Sequence, residues 1–460
     1  MVGLPKKAGD AQRDCRFDEA FALLGDMFDP TQADEMFPVR SNAVYRTCVV
    51  VWMLVYQRMQ PDKSLAAAVK HLIDSRPSFL PPEHKRVKQK TLSSNTSGFS
   101  DARQRLPREA AEWFSSRVSQ SLIDASPPTL QGRRVFLIDG TTMKLAPVRE
   151  LQEAFPPAPN QHGPGVWPVA LLTVAHELSS GAALNPEIGA KFGPEAVSET
   201  ALVKKLMQQM PTGSVVMADS GFGIFAVAHD AAQAGHSFLF RLTQQRFNAY
   251  RKRATLVGKG ERSRSYEFRW QPSAQELRSH PEIAKDAVLN VRLHEVEISK
   301  NLTLCLASDL NATANEVAAA YQRRVDVETD IRNVKVVMDL EQMRVRSVEM
   351  FRKELLMSMV AYNLVTQFRR QAAELAERLP REMSFKGTWT TFRIFLLGAM
   401  YTDPAIWREK FEMALRYAMK DKLPNRPGER QYEREAYPRR PKANQFKKRK
   451  LPTPRPVAES

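Results

Sequence analysis

Cysteine is scarce in this chain of 460 residues: Cys15, Cys48 and Cys305 stand far apart, and none belongs to a CxxC pair. That argues against a disulfide framework and against a cysteine zinc site. Histidine is little commoner, at eight residues, and neither His162 in QHGPG nor His176 beside Glu177 has the paired spacing of zinc ligands, so these read as structural or loop residues. Long apolar runs are missing too. The longest, Cys48 to Tyr56, falls far short of the roughly 20 residues that a membrane-spanning helix needs. At the start of the chain Lys6 and Lys7 lead into the polar stretch GDAQRD, which is not a signal-peptide pattern. The expectation is a cytoplasmic protein with no membrane partner.

Acidic residues are the other shortage. Against 68 Lys and Arg there are 51 Asp and Glu, a formal net charge of +17. With 43% hydrophobic and 26% charged residues the composition is otherwise that of a globular protein, and the length suggests roughly two to four domains. The excess is concentrated. Residues 241 to 269 hold nine Lys/Arg and two Glu, and residues 424 to 456 hold eleven Lys/Arg and three Glu, so two short segments supply 15 of the 17 charges. A generally solubilising surface would spread its charge; two basic segments on a balanced body read as footprints for a polyanion, DNA or RNA first.

Along the chain, residues 16 to about 125 read as mostly helical. RSNAVYRTCVVVWMLVYQRMQ has a broad apolar face, DKSLAAAVKHLIDS starts on Asp62 or Ser64 as cap, and LSSNTSGFSDARQRL announces a third helix behind a Ser/Thr/Asn cluster. A DNA-reading helical domain and a plain helical bundle fit this pattern equally. From Arg133 the pattern changes to three strand-like runs, RRVFLIDG with TTMKLA, VWPVALLTVAHEL and GAALNPEIG. Helix, strand, helix and strand follow in PEAVSETALVKKLMQQM, SVVMADSGFG, IFAVAHDAAQAG and SFLFRLTQ, the order of a ribonuclease H-like α/β core. Residues 246 to 300 then interrupt it with alternating stretches, SYEFRW and VRLHEVEI, that suggest a β-rich insertion; TLCLAS resumes as a strand. One long helix is expected from Asn315 through EVAAAYQRRVDVETDIRNVKVVMDL, and a second in ELLMSMVAYNLVTQFRRQAAELAERL. The tail after Lys420 is basic and Pro-rich. The layout expected is therefore a helical N-terminal DNA-binding domain (1–125), a core in two parts (130–245 and 301–380) around the insertion (246–300), and a helical C-terminal region ending in the basic tail (381–460).

Asp139 and Asp219 each end an apolar strand, where a packed sheet aims a carboxylate with little loss of entropy. Singly, either reads as well as a turn residue. A third feature weighs against turns: Tyr321, Arg324, Glu328 and Lys335 are separated by two, three and six residues. At about 100° per residue they fall within an arc of about 60° on a helix, one face carrying an aromatic ring, two cations and a carboxylate. An ordinary ion-pair stripe, with Arg324 and Glu328 at i, i+4, is the bland reading. By composition such a set is expected on the order of 0.02 times in a chain like this, so chance is a poor explanation.

With these residues in view the chain resembles the transposases of the insertion sequence 4 family of DDE enzymes. That family's signature is Tyr, two residues, Arg, three, Glu, six, Lys, and Tyr321, Arg324, Glu328 and Lys335 match it with every spacing kept. IDGTT around Asp139, MADSGFG around Asp219, the β-rich insertion and the N-terminal PDKSLAAAVKHL with NTSGFSDARQRLP also resemble the family, from about residue 20 to about 450. Ser220 departs from it, since relatives often carry a basic residue after the second Asp. The resemblance implies a catalytic triad of Asp139, Asp219 and Glu328 holding two Mg²⁺ ions, with Mn²⁺ able to substitute, for in-line phosphoryl transfer. It implies double-stranded DNA as partner, both transposon ends and target, and a homodimer to pair two ends. Tyr321, Arg324 and Lys335 are then expected on backbone phosphates, with Arg251, Lys252 and Arg253 as DNA-contacting cations of the insertion. Trp270, alternating with Tyr266 and Phe268, is a candidate for stacking an extruded base, against the alternative of a hairpin core. A nuclease of the same fold that never joins strands, and a catalytically idle DNA-binding derivative, are the competing functions.

Overall fold

The computed structural model describes residues 23–24, 27–40, 42–75, 79–160, 163–340, 343–399 and 404–423. Cys15, His162 and the basic tail after Leu423 lie outside the described residues. The described residues up to Lys422 form one compact unit.

A ten-stranded mixed sheet runs through its middle. The strands are β1 (Val135–Lys144), β2 (Pro157–Asn160), β3 (Gly163–Glu177), β4 (Glu187–Ala190), β5 (Val215–Ala218), β6 (Ser237–Arg241), β7 (Thr255–Lys259), β8 (Ser263–Trp270), β9 (Leu289–Ser299) and β10 (Leu302–Ser308). Their spatial order is β2-β3-β1-β5-β6-β10-β9-β8-β7, with β4 also on β3. β1, β5 and β6 are parallel, whereas β3 and β4 on one side and β7 to β10 on the other are antiparallel. β5 is apolar and buried throughout, and β6 and the first four residues of β1 are buried up to the rim, as helix-covered strands must be. The strands of the insertion continue the core sheet through β10, which pairs with β6, so they lengthen one sheet instead of forming a second.

Helices cover both faces. Glu199–Met207 and Phe225–Gln233 pack on one side, and the helix carrying Glu328 packs on the other, over Val135, Leu137, Met217 and Leu239. Thr47–Met59 is buried along its whole length of 13 residues, and with Leu65–Ser75 and Ser97–Arg105 it makes the N-terminal helical layer. Ser64 accepts from the Ala67 amide at the start of the second of these, as its position as cap requires. The long helix Val348–Leu375 packs against both Thr47–Met59 and Arg108–Asp124 and ties the layers together.

Two expectations change. β1 does not stop at Asp139-Gly140: its pairing with β3 continues from Asp139↔Val174 to Lys144↔Val169, because β3 is 15 residues long and supplies partners throughout. The single helix expected from Asn315 is wound in four pieces: α-helix Ala314–Gln322, a 3-10 turn Arg323–Val325, α-helix Asp326–Arg332 and a π turn Asn333–Val337. Thr313 and Glu316 form a capping box that fixes its start.

Candidate active site

The first two carboxylates are set by strand register. Leu137 of β1 is level with Met217 of β5, so Asp139 and Asp219 each lie two residues beyond the same rung. β5 ends at Ala218, which leaves Asp219 at the rim. Asp139 accepts the Gly140 amide at 2.8 Å, and Asp219 accepts the Gly221 amide at 2.8 Å, so each carboxylate is oriented by backbone. Arg246 holds the loop after Asp219 by donating to the carbonyls of Gly223, at 2.6 Å, and Ser220, at 3.3 Å.

Glu328 comes from the opposite direction, on the segment Asp326–Arg332. Arg324 connects all three acids. Its Nη2 lies 2.8 Å from Asp139 Oδ2 and 3.7 Å from Asp219 Oδ2, and its Nη1 lies 3.0 Å from Glu328 Oε1. The triad separated by 80 and 109 residues in sequence, from 139 to 219 and from 219 to 328, is thus gathered round one guanidinium. Burial raises the Asp139 carboxyl above its ordinary range; Arg324 and the Gly140 amide oppose that, while the charges of Asp219 and Glu328 add to it. The donor set is oxygen only, which suits a hard divalent cation. Among the described residues no three acidic, histidine or cysteine side chains are yet arranged to hold a metal, since Arg324 stands between these three.

The other motif residues divide. Lys335, in the π turn, reaches β1 just beyond Asp139, donating to the Thr142 carbonyl at 2.9 Å and to Thr141 Oγ1 at 3.3 Å. Tyr321 is buried against the sheet, and burial pushes its phenol up to about 12 although Arg324 and Arg241 pull it down. The ring is core, in the apolar cluster with Leu137, Met217 and Val317, and not an open phosphate contact.

For Trp270 the hairpin-core alternative holds, and the base-stacking candidate does not. Trp270 is 0% exposed, edge-on to Phe225 and Phe238, and Tyr266 and Phe268 are buried beside it. The three rings form a hairpin core, so no face of Trp270 is free to stack a base; strand alternation looks the same in either role. Arg251, Lys252 and Arg253 are not gathered with the carboxylates. Lys252 and Arg253 lie between the helix Gln244–Arg251 and β7, whose first residue Thr255 pairs with Glu267. Arg251 faces Glu295 at 3.4 Å, and Arg253 lies over the Phe268 ring. The catalytic end carries different cations: Arg241 at the end of β6, the β7–β8 hairpin tip with Lys259, Arg262 and Arg264, and Lys300 in the β9–β10 turn, all exposed. A further exposed group, Lys85, Arg86, Lys88 and Lys90 in the N-terminal layer, went unread because counting all residues outside the two basic segments together averaged it away.

A family model described as a transposase DDE domain matches residues 130–364, just over half the chain and a span that contains Asp139, Asp219, Glu328 and Lys335. The chain belongs to the DDE transposase family, and its mixed α/β sheet with flanking helices is consistent with the ribonuclease H-like fold of that class. No curated protein matches it at a significant level. No described helix is long and apolar enough to cross a membrane.

Proposed function

We propose that this chain is a cut-and-paste DNA transposase of the insertion sequence 4 type: it binds the inverted-repeat ends of its element, cleaves them, and joins the freed 3′-OH ends to target DNA. The observation that carries the reading is the convergence of Asp139, Asp219 and Glu328, from the middle of β1, the end of neighbouring β5 and a facing helix, on the one guanidinium of Arg324. Asp139, Asp219 and Glu328 are the metal ligands in this reading, for Mg²⁺ or in its place Mn²⁺. A pair of such ions supplies activation of the attacking oxygen and stabilisation of the leaving one, so no protein nucleophile is required.

The chain's own residues do the rest. The Gly140 and Gly221 amides and the Arg246-held loop orient the two aspartates. Arg324 faces all three carboxylates, and its fork would suit a backbone phosphate beside the scissile bond. Lys335 braces the π turn on β1 at the same end. Arg241 stands on the strand next to β5, and Lys259, Arg262, Arg264 and Lys300 lie further along the same end of the sheet; they suit phosphates of the bound DNA, a contact that positions it without reading it. Arg251, which shares Glu295 with Arg264, and Lys252 and Arg253 beside it serve, in this reading, more distant phosphates of the same DNA. The N-terminal helical layer is assigned to recognition of the ends, and pairing two ends calls for a homodimer.

The experiment is to incubate the protein with Mg²⁺ and a DNA fragment bearing a short inverted repeat from beside its coding region, together with a target plasmid. Cleavage at the repeat and covalent joining to the plasmid are expected. Cleavage with no joined product would favour the plain nuclease, and binding with neither would favour the idle derivative.

A further inference from the structure

Two residues beyond Glu328, on the opposite side of the same helix, Asp330 is 0% exposed. It is not a third ligand candidate pointing the wrong way. Its carboxylate is the hub of a buried polar cluster: Arg381 Nη1 lies 2.7 Å from Oδ2, and the Tyr362 hydroxyl donates to Oδ1 at 3.2 Å. His176 Nδ1 lies 3.8 Å from Oδ2.

Arg381 does more than neutralise this charge. Its Nε donates to the Leu178 carbonyl at 2.6 Å and its Nη2 to the Glu177 carbonyl at 2.8 Å, so one guanidinium grips both the Glu328 helix and the last residues of β3. Arg323 adds a bond to the same Leu178 carbonyl at 3.3 Å. The turn being gripped is itself rigid, since the Glu177 carboxylate accepts the amides of Ser179 and Ser180 at 2.9 and 2.7 Å. Arg369 closes the cluster on the Ser180 carbonyl at 2.8 Å. Gly181 makes room for it: its φ is +86°, and a Cβ there would stand 2.5 Å from Arg369 Nη2 and 3.6 Å from Asp330 Oδ1.

The consequence follows from register. β3 is the antiparallel partner of β1, with Glu177 opposite Phe136 and Val174 opposite Asp139. Whatever fixes the end of β3 to the Glu328 helix therefore fixes Glu328 relative to Asp139. A 3-10 turn just before Glu328 and a π turn shortly after it leave that helix without a straight ladder to hold its rotation. A buried side-chain clamp adds to the hold that Lys335 and the packing of Val327 give.

We propose that Asp330 and Arg381 are positioning residues of the active site, a buried staple that sets the distance between Glu328 and the strand carrying Asp139. The staple rests on the reading of Glu328 as a metal ligand. Outer residues that orient ligands typically change metal affinity or activity 10–100-fold when altered.

The test compares wild type, Asp330→Asn, Arg381→Lys and Glu328→Gln as full chains. Mn²⁺ binding is read by electron paramagnetic resonance without DNA, single-turnover cleavage is measured on an end-bearing fragment, DNA affinity is measured without metal, and thermal unfolding is followed throughout. Asp330→Asn and Arg381→Lys are expected to weaken Mn²⁺ binding and slow cleavage by about tenfold each, with DNA affinity within twofold of wild type. A merely structural role would lower the unfolding temperature while leaving the Mn²⁺ midpoint of the folded protein in place, and that result overturns the staple. Tyr362→Phe removes a single bond from Asp330 and covers the case in which the other variants do not fold; a Mn²⁺ midpoint shifted in the same direction by about twofold supports the staple, and an unmoved one counts against it. If Glu328→Gln cleaves at the wild-type rate, the site assignment itself has failed; if only Glu328→Gln is impaired, the assignment stands and the staple falls.

Discussion

Arg324 lies within 3.7 Å of all three carboxylates, and its charge offsets their mutual repulsion. Opposite charge favours the ionised acids, but it also competes with any ion that needs them. Arg324→Gln is therefore expected to tighten Mn²⁺ binding to the DNA-free protein by about three- to tenfold, an order-of-magnitude figure for one partly screened charge, while DNA cleavage falls. Isothermal titration with Mn²⁺ decides it, and weaker binding by the variant would contradict the counter-ion role. Gly223 offers a second check. A Cβ there would meet the Arg241 carbonyl oxygen at 2.4 Å, and backbone cannot swing aside as a side chain does. Gly223→Ala should lose about 1–3 kcal/mol of stability and displace the loop that Arg246 holds behind Asp219, so cleavage should drop with it. An unchanged urea midpoint and rate would show that the loop has more freedom than its contacts indicate.

Among elements, the helix carrying Glu328 shows where sequence reading stops. Spacing alone picked out Tyr321, Arg324, Glu328 and Lys335, and three of the four do reach the catalytic end. The tightening at Arg323–Val325 and the widening at Asn333–Val337 were not legible, because local propensity does not encode windings imposed by contacts such as Lys335 on β1 and Asp330 on Arg381. Trp270 was ambiguous for a different reason: alternation reports which residues share a face, not what covers it. Charge clustering in sequence does not show strand direction, so it could not say that Arg251 shares Glu295 with Arg264 while Arg253 lies over the Phe268 ring. Between elements, the N-terminal layer is joined to the long helix by a buried ionic cluster in which Glu354 pairs with Arg58 and lies 2.7 Å from Arg103. Glu354→Ala leaves Arg58 buried without a carboxylate and is expected to cost about 3–5 kcal/mol. A loss under about 1 kcal/mol in urea unfolding would mean that water or a neighbour replaces the partner.

For the molecule as a whole, acid sensitivity has a defined origin. Burial holds the His71 imidazole down to about 3 and, with help from the charge of Arg292, the His294 imidazole down to about 4. Both stay neutral in the fold while the unfolded chain takes up protons near the ordinary value of about 6.5, so folding stability is full above that pH and declines as pH falls toward 4. Thermal unfolding at pH 5 should come below that at pH 7.5, and His294→Gln should flatten the difference; a variant with the wild-type slope would remove His294 as a cause. The basic surplus also changes meaning at this level. Read as two segments it pointed to a polyanion; placed on the sheet, its described part is divided between cations at the catalytic end, an arginine that holds the Asp219 loop, and Arg251, which shares Glu295 with Arg264. What bears on function most is whether Asp139, Asp219 and Glu328 act as one centre. The decisive measurement is cleavage of an end-bearing DNA fragment with Mg²⁺ by wild type, Asp139→Asn, Asp219→Asn and Glu328→Gln, each first shown to bind that fragment. Cleavage by wild type alone, with binding retained in all four, is the expected result. Cleavage at the wild-type rate by any one of the three variants would contradict the shared centre.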